Sequence, residues 1–333
     1  MANTEKHSAV GLDIGTSRIV SAVKAGEDYE YRSELNSFIT LPLSKMTEQV
    51  LKRENVPHTV AGANIIVHGN ESERFADLLQ MDTRRPMTHG ILNSSEPESV
   101  SVIRTIIQSM VGPAKHKGQK LCFSIPAATA GGTDNLTYHE ATIKQMLTDL
   151  GYETRSINEG LAVIYAETES SNYTGIGISC GGGLCNVCLS YLAVPVNNFS
   201  VAKAGDYIDS SAAAVTGDLS NRIRLIKEDS FHFNGTSKDK TQQVLSVYYD
   251  DMIQALVGGL NETFRSARSL PRLARPIPLV LSGGSAIPEG FRERFETALK
   301  GSGFPIALSE IRVAEKPLYS TAKGALVSAL SDM

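Results

Sequence analysis

The chain has 333 residues, 41% hydrophobic and 20% charged, the balance of a globular protein with room for one large or two ordinary domains. A formal net charge of −4 gives no field to draw nucleic acid, and four cysteines over this length exclude a disulfide framework and fit a reducing cytoplasm. The polar start MANTEKHSAV has no apolar signal core and no run approaches ~18 apolar residues, so a soluble cytoplasmic protein without direct membrane insertion is expected.

In chain order, SAVGLDIGTSRIVSAVKAGEDYEYRSEL reads as strand, tight turn, strand. Val10, Leu12 and Ile14 alternate, Gly15-Thr16-Ser17 turns, Ile19 to Val23 resume an extended pattern, and Gly26-Glu27-Asp28 closes that hairpin. Residues 44–80 are polar and irregular and read as an insertion of short strands. SEPESVSVIRTIIQSMVG predicts a helix with Val102, Ile103, Ile106, Ile107 and Met110 on one face and Gly112-Pro113 as its stop. KLCFSIPA is a buried strand ending at a proline. TDNLTYHEATIKQMLTDLG is a second helix, capped by Thr133 or Asp134, with Leu136, Ile143, Leu147 and Leu150 as its stripe and Gly151 at its end.

The middle of the chain restarts this pattern: TGIGISCGGGLCNVCLSYLAV is again strand, glycine turn, strand. Val244, Tyr248, Met252, Leu256, Leu260 and Phe264 recur every four residues and predict a long helix over 241–269. PIPLVLSGGSAIPEGFRERFETAL is then a buried strand, a glycine turn and a helix. Two similar hairpin starts, each leading into αβ units, point to an internal duplication, with two α/β domains facing across a cleft.

Cys180, Cys185 and Cys188 are spaced C-x4-C-x2-C, as in plant-type iron–sulfur proteins. A cluster needs a fourth ligand, for which only distant Cys122 remains, and in a strand Cys185 and Cys188 point to opposite faces. Small buried apolar residues are the ordinary reading of free cysteines. RSARSLPRLARP carries Arg265, Arg268, Arg272 and Arg275 without an acid between them. It suits a solvated helix C-terminus, with a filament contact, a membrane surface or an acidic partner as alternatives.

No GxxxxGK[ST] and no HExxH is present, and the GxG of Gly175 and Gly177 meets Cys180 where a dinucleotide fingerprint needs glycine. Four small-residue turns or helix starts instead follow strands: Gly15-Thr16-Ser17, Gly181-Gly182-Gly183, Gly283-Gly284-Ser285 and Ala322-Lys323-Gly324-Ala325. Such turns offer N–H groups to phosphate oxygens, and Asp13, just before the first, is placed to hold a hydrated Mg2+. Each turn alone is an ordinary structural turn; their order is more specific.

GLDIGTSRI resembles the first phosphate motif of the actin, sugar kinase and heat-shock-chaperone superfamily. SINEGLAVIYAE is similar to its first connecting segment, GISCGGGLCNVCL to its second phosphate motif, VLSGGSAIPEG to its adenosine motif and STAKGALVSAL to its second connecting helix. RRPMTHGIL, VAKAGDYIDSSAA and IKEDSFHF resemble the bacterial actins of the MreB and MamK type. The resemblance covers essentially the whole chain. It implies an actin-like fold of duplicated ribonuclease-H-like α/β domains around a nucleotide cleft, each with a small inserted subdomain. The first domain would span 1–155, with an insertion at about 40–92 and a C-terminal helix, 313–333, returning to it; the second would span 156–312, with an insertion at about 214–240.

By matching position, the resemblance implies that Asp13, Gly15, Thr16 and Ser17 contact the phosphates and Mg2+, the metal through water at Asp13, and that Gly181, Gly182 and Gly183 cradle ATP or ADP from the other side. Lys227 and Glu228 would meet the ribose and base from one wall, and Gly283, Gly284 and Ser285 from the other. Glu159 aligns with the acid that orients the attacking water; read on its own it is a helix N-terminal charge. The family's second phosphate motif carries an Asp and a Thr where this chain has Ser179 and Leu184, and Asn186 where a further Asp is common. Losing a carboxylate beside Mg2+ implies slow or absent hydrolysis. The function implied is an ATP-binding cytoskeletal protein that self-associates into filaments. The alternative is a non-polymerising nucleotide-binding adaptor of the PilM or FtsA type; a sugar or metabolite kinase lacks its substrate motif.

Overall fold

The computed structural model describes residues 9–128, 135–233, 239–266, 273 and 275–331. The first half begins with the meander Val10–Ile14 (β1), Arg18–Ala25 (β2) and Asp28–Leu35 (β3), antiparallel throughout. Phe38–Pro42 (β4), Lys45–Arg53 (α1), His58–Ala61 (β5), Asn64–His68 (β6) and Asn70–Leu78 (α2) then form an inserted unit, with strands ordered β4-β6-β5 around Ile39, Leu51, Ile65, Val67 and Ala76. This corrects the expectation of short strands alone. The Ser44 hydroxyl accepts from Thr47 N and caps α1, but Leu51 is the only residue α1 buries, so its apolar stripe is too thin to read.

Met87–Thr88 (β7) pairs with Ile91–Leu92 (β8), and Ser99–Val111 (α3) follows, burying all five residues expected of it before Gly112 ends it at φ +62°. Lys120–Ile125 (β9), Leu136–Asp149 (α4) and Glu153–Asn158 (β10) complete a five-stranded sheet ordered β10-β9-β1-β2-β3. On α4, Ile143 and Leu147 are buried as expected, joined by His139 and Met146, while Leu136 and Leu150 are half-buried ends. The proposed caps Thr133 and Asp134 lie outside the described residues.

Glu159–Glu167 (α5) leads into the second half: Gly175–Cys180 (β11), Cys185–Tyr191 (β12), Val194–Val201 (β13), Gly205–Thr216 (α6), Ser220–Ser230 (α7), Lys240–Ser266 (α8), Ile277–Ser282 (β14), Phe291–Gly301 (α9), Leu308–Val313 (β15) and Ser320–Ser331 (α10). Its sheet runs β13-β12-β11-β14-β15, the topology of the first sheet repeated. Cys180 and Cys185 enter the large core of this half, whereas Cys188, on the opposite face of β12, packs beneath α5. The long helix buries Leu245, Tyr249, Met252, Ile253, Leu256, Val257, Leu260 and Phe264, so Val244 and Tyr248 are flanking residues and not centre-line ones. Arg268 and Arg272 lie outside the described residues. The C-terminal helix is shorter than expected, because Val313 still belongs to β15.

Helices α5 and α10 are sandwiched between the two sheets, α10 against β1 and β9 and α5 against β11 and β12. They cross at glycine. A Cβ on Gly324 would lie 1.7 Å from Ala162 O, and one on Gly11 2.1 Å from Ala322 O, so each glycine exists for lack of space and not for backbone freedom. This stack holds the two sheets' turns opposite one another. No described helix is long and apolar enough to cross a membrane.

Candidate functional site: a cleft between two glycine turns

The two turns are built alike. At the end of β1, Gly15 N donates to Arg18 O at 3.0 Å; at the end of β11, Gly181 N donates to Leu184 O at 3.0 Å. Asp13 and Ser179 therefore hold equivalent places, two residues before the turn glycine, paired with Val20 and Asn186 on the return strands. The turns meet closely: a Cβ on Gly183 would lie 2.3 Å from Thr16 Oγ1, and one on Gly182 2.8 Å from Ser17 Cβ. Among the described residues, the backbone N–H groups of Thr16, Ser17, Gly182 and Gly183 donate to no protein acceptor. Thr16 Oγ1 itself accepts from Gly90 N.

Beneath the turns lie two buried acids. Ile14 N donates to Ser124 Oγ on neighbouring β9, and Ser124 Oγ donates to Asp13 Oδ1 at 2.7 Å. Glu159 opens α5 behind the N-cap Asn158, whose side chain accepts from Gly160 N. The Glu159 carboxyl accepts from Ser179 Oγ at 3.0 Å and is hydrogen-bonded to Asn186. Asn186 Oδ1 accepts from Ala127 N at 2.8 Å, which leaves the amide NH2 for Glu159. Burial, and then the charge of Asp13, push the Glu159 carboxyl up to about 8; burial raises Asp13 to about 6 against the opposing Ser124 hydrogen bond.

The remaining walls come from the second half. Gly283 sits at φ +88° with its Cβ position 2.3 Å from Cys180 O, a conformation and a contact that only glycine accepts. Ser285 Oγ donates to Gly181 O, and Gly205 N and Asp206 N donate to Gly181 O and Gly182 O, so the second turn is held by the start of α6. Lys227 is buried, with its amine 2.7 Å from the equally buried Asp209. Glu228 accepts from Arg18 across the cleft at 2.8 Å and from Arg224 on its own helix at 2.9 Å. Arg224 also binds Glu73 of α2, and Asn221 N donates to Asp82, so the inserted unit of the first half touches α7.

These walls enclose a cavity of about 550 Å3, within the range of small-molecule sites. Asp13, Gly15, Thr16, Ser17, Glu159, Gly181, Gly182, Gly183, Lys227, Glu228, Gly283, Gly284 and Ser285 all line it. Sequence reasoning did not single out Arg18, Arg224 or Asp209 as site residues, although they line the same cavity. Their signals were faint: Arg18 directly follows the first turn, Arg224 lies four residues before Glu228, and Asp209 stands in the GDYIDSS segment. Among the described residues no group of three or more His, Cys, Asp or Glu side chains has the arrangement of a metal centre.

The fold is the actin-like two-domain fold. A MamK double helical filament matches with a TM-score of 0.73 at 17% identity, covering 97% of this chain and 98% of that one. A non-polymerising MamK mutant bound to AMPPNP matches at 0.57 and 18% identity over 97% and 98% of the chains. The ethanolamine utilization protein EutJ from Carboxydothermus hydrogenoformans matches at 0.55 and 17% identity over 96% and 90%. No curated protein sequence matches. The family model described as Volactin matches residues 8–329, nearly the whole length, and the chain belongs to that family.

Proposed function

We propose that the protein binds ATP or ADP in this cavity and assembles head to tail into filaments, a heterologous contact that need not close. The observation that carries the reading is the convergence of two glycine turns, with four unengaged N–H groups, on one cavity beside a buried acid pair. In this reading the turns cradle the β- and γ-phosphates. Gly283, Gly284 and Ser285 face the base and ribose from one wall, and Lys227 and Glu228 from the other. In the same reading, the two bodies that close on the nucleotide are the first half's sheet with α10 returning to it, and the second half's sheet.

The donor set suits a hydrated Mg2+ at Asp13. Asp13 and Glu159 have no cationic partner among the described residues, and burial makes both hold protons more tightly than ordinary carboxylates. Bound Mg2+ would offset phosphate charge there. In this reading Glu159, held by Ser179 and Asn186, orients a water, and it would accept that water's proton only once bound Mg2+ had loosened the proton Glu159 itself carries. With Ser179 where an acid would complete the site, turnover is slow.

Titration calorimetry with ATP and Mg2+, alongside pelleting and negative-stain microscopy, tests both parts. Both must be measured, because the MamK mutant above binds nucleotide without polymerising. Binding with ATP-dependent pelleting supports the proposal, and binding without it leaves the adaptor reading. No binding sinks the nucleotide assignment.

A further inference from the structure

We infer that Arg18 is a mobile phosphate-binding side chain, parked on Glu228 in the ligand-free protein and transferred to a polyphosphate when one enters the cleft. The inference rests on the nucleotide reading above. Among the described residues, seven carboxylates and only three cationic side chains line the cavity. An entering polyphosphate therefore meets mostly like charge and needs a cation that can be released to it.

The three cations are not equally free. Lys227 and Asp209 are buried together, 7% and 6% exposed at the side chain, with the amine also donating to Gly205 O. Separating them strands a buried charge on each side. Arg224 is 5% exposed and shared between Glu73 and Glu228. Arg18 is 29% exposed and bound to one carboxylate, Glu228, which is itself 34% exposed. Ion pairs of that exposure are the weak class. Glu228 also keeps a partner when Arg18 leaves, since Arg224 stays 2.9 Å from its other oxygen. Only Arg18 can change partner without stranding a charge.

Position supports the same conclusion. Arg18 O accepts the hydrogen bond that closes the first turn, so its Cα is fixed next to the unengaged N–H groups of Thr16 and Ser17. A guanidinium presents a planar pair of donors suited to phosphate oxygens. Arg18 lies on β2 and Glu228 on α7, so the exchange also dissolves a tie between the two halves at the cleft mouth.

The test is equilibrium binding of ATP, ADP and adenosine to the wild type and to Arg18→Ala, Arg18→Lys and Glu228→Gln. Arg18→Ala is expected to weaken ATP and ADP by roughly 10- to 100-fold, the range for a lost charge-assisted hydrogen bond, with adenosine within about twofold. Arg18→Lys retains part of the phosphate affinity. In Glu228→Gln the ATP-to-adenosine affinity ratio rises, because Arg18 is released. Equal losses for all three ligands, or none for ATP, would make Arg18 a structural tie and overturn the inference. A wild type that binds none of the three refutes the nucleotide reading itself, and this inference with it.

Discussion

Replacing Gly324 with alanine is the smallest change that tests how rigidly the two halves are joined. The new Cβ would stand 1.7 Å from Ala162 O and 2.4 Å from its carbonyl carbon, where ordinary contact begins near 3.4 Å. The obstacle is backbone and cannot rotate aside, so α10 and α5 must part by roughly 1.5 Å or bend. A gap of 0.5–1 Å already forfeits about a quarter to a half of a dispersion contact, and overpacking typically costs about 1–3 kcal/mol. Gly324→Ala is therefore expected to lose about 3 kcal/mol or more. Gly258→Ala is the control: it lies within α8, exposed, with no atom within 4 Å of the new Cβ. It should gain about 0.5–1 kcal/mol from helix propensity. Urea unfolding of both variants measures the difference. ATP affinity should fall with stability in Gly324→Ala, because α5 carries Glu159 and α10 supports the strand that carries Asp13. Wild-type stability and affinity in that variant would refute the idea that this crossing sets the distance between the turns.

Glu159, with its carboxyl raised to about 8, holds a proton that the unfolded chain has lost above its ordinary value of 4.5. Its contribution to stability therefore falls as pH rises from about 4.5 to 8 and is level above that. Buried His68 and His139, held down to about 4, act in the opposite sense up to 6.5, so Glu159 is read most cleanly between pH 6.5 and 8. Over that span Glu159→Gln should flatten the wild-type decline in melting temperature; an unchanged slope contradicts the assignment. Ser179→Asp should raise Mg2+-dependent ATP turnover by about tenfold or more, from charge-assisted hydrogen bonds of roughly 1.5–3 kcal/mol, while lowering the melting temperature without ligand by crowding Glu159 with a third acid. Phosphate release no faster than wild type would count against the role given to Ser179. Lys227→Met should cost about 3–5 kcal/mol by stranding Asp209, and adding Asp209→Leu should recover most of that; a double variant as unstable as the single one contradicts the pairing.

The two glycine turns were legible because they need what a sequence displays openly: alternating apolar residues, then glycine. Helix α3 was legible for the same reason, with one buried face and a glycine stop. Helices α1 and α2 were not, since the inserted unit has a small core and each helix gives it little: α1 buries only Leu51, and α2 only Ser72 and Ala76. On α8 the every-four pattern drifts, because four residues turn the chain about 40° beyond a full circle. The stripe followed from Val244 starts beside the buried face and joins it only at Met252, whereas a mixture of three- and four-residue steps from Leu245 stays on that face throughout. The site's polar architecture was hidden for another reason. Arg18 to Glu228 and Ser124 to Asp13 are separated by 210 and 111 residues, and no local pattern announces such partners.

The distribution of the four cysteines makes the protein its own chemical clock. All four are buried thiols and none is in a disulfide: Cys122, on β9, and Cys188, under α5, share the core at the helix seam, and Cys180 and Cys185 lie in the second core. Burial raises the Cys188 thiol to about 12, and a hydrogen bond with Cys180, then burial, lifts Cys185 well above its usual range, so a thiol reagent meets almost no thiolate at these two while the fold is shut. Alkylation timed against peptide mapping would therefore record when each region opens: the helix seam at Cys122 and Cys188, and the second core at Cys180 and Cys185. A nucleotide that fastens the halves together should slow the label at Cys188, at the seam between them, more than at Cys180 or Cys185 in the core of one half.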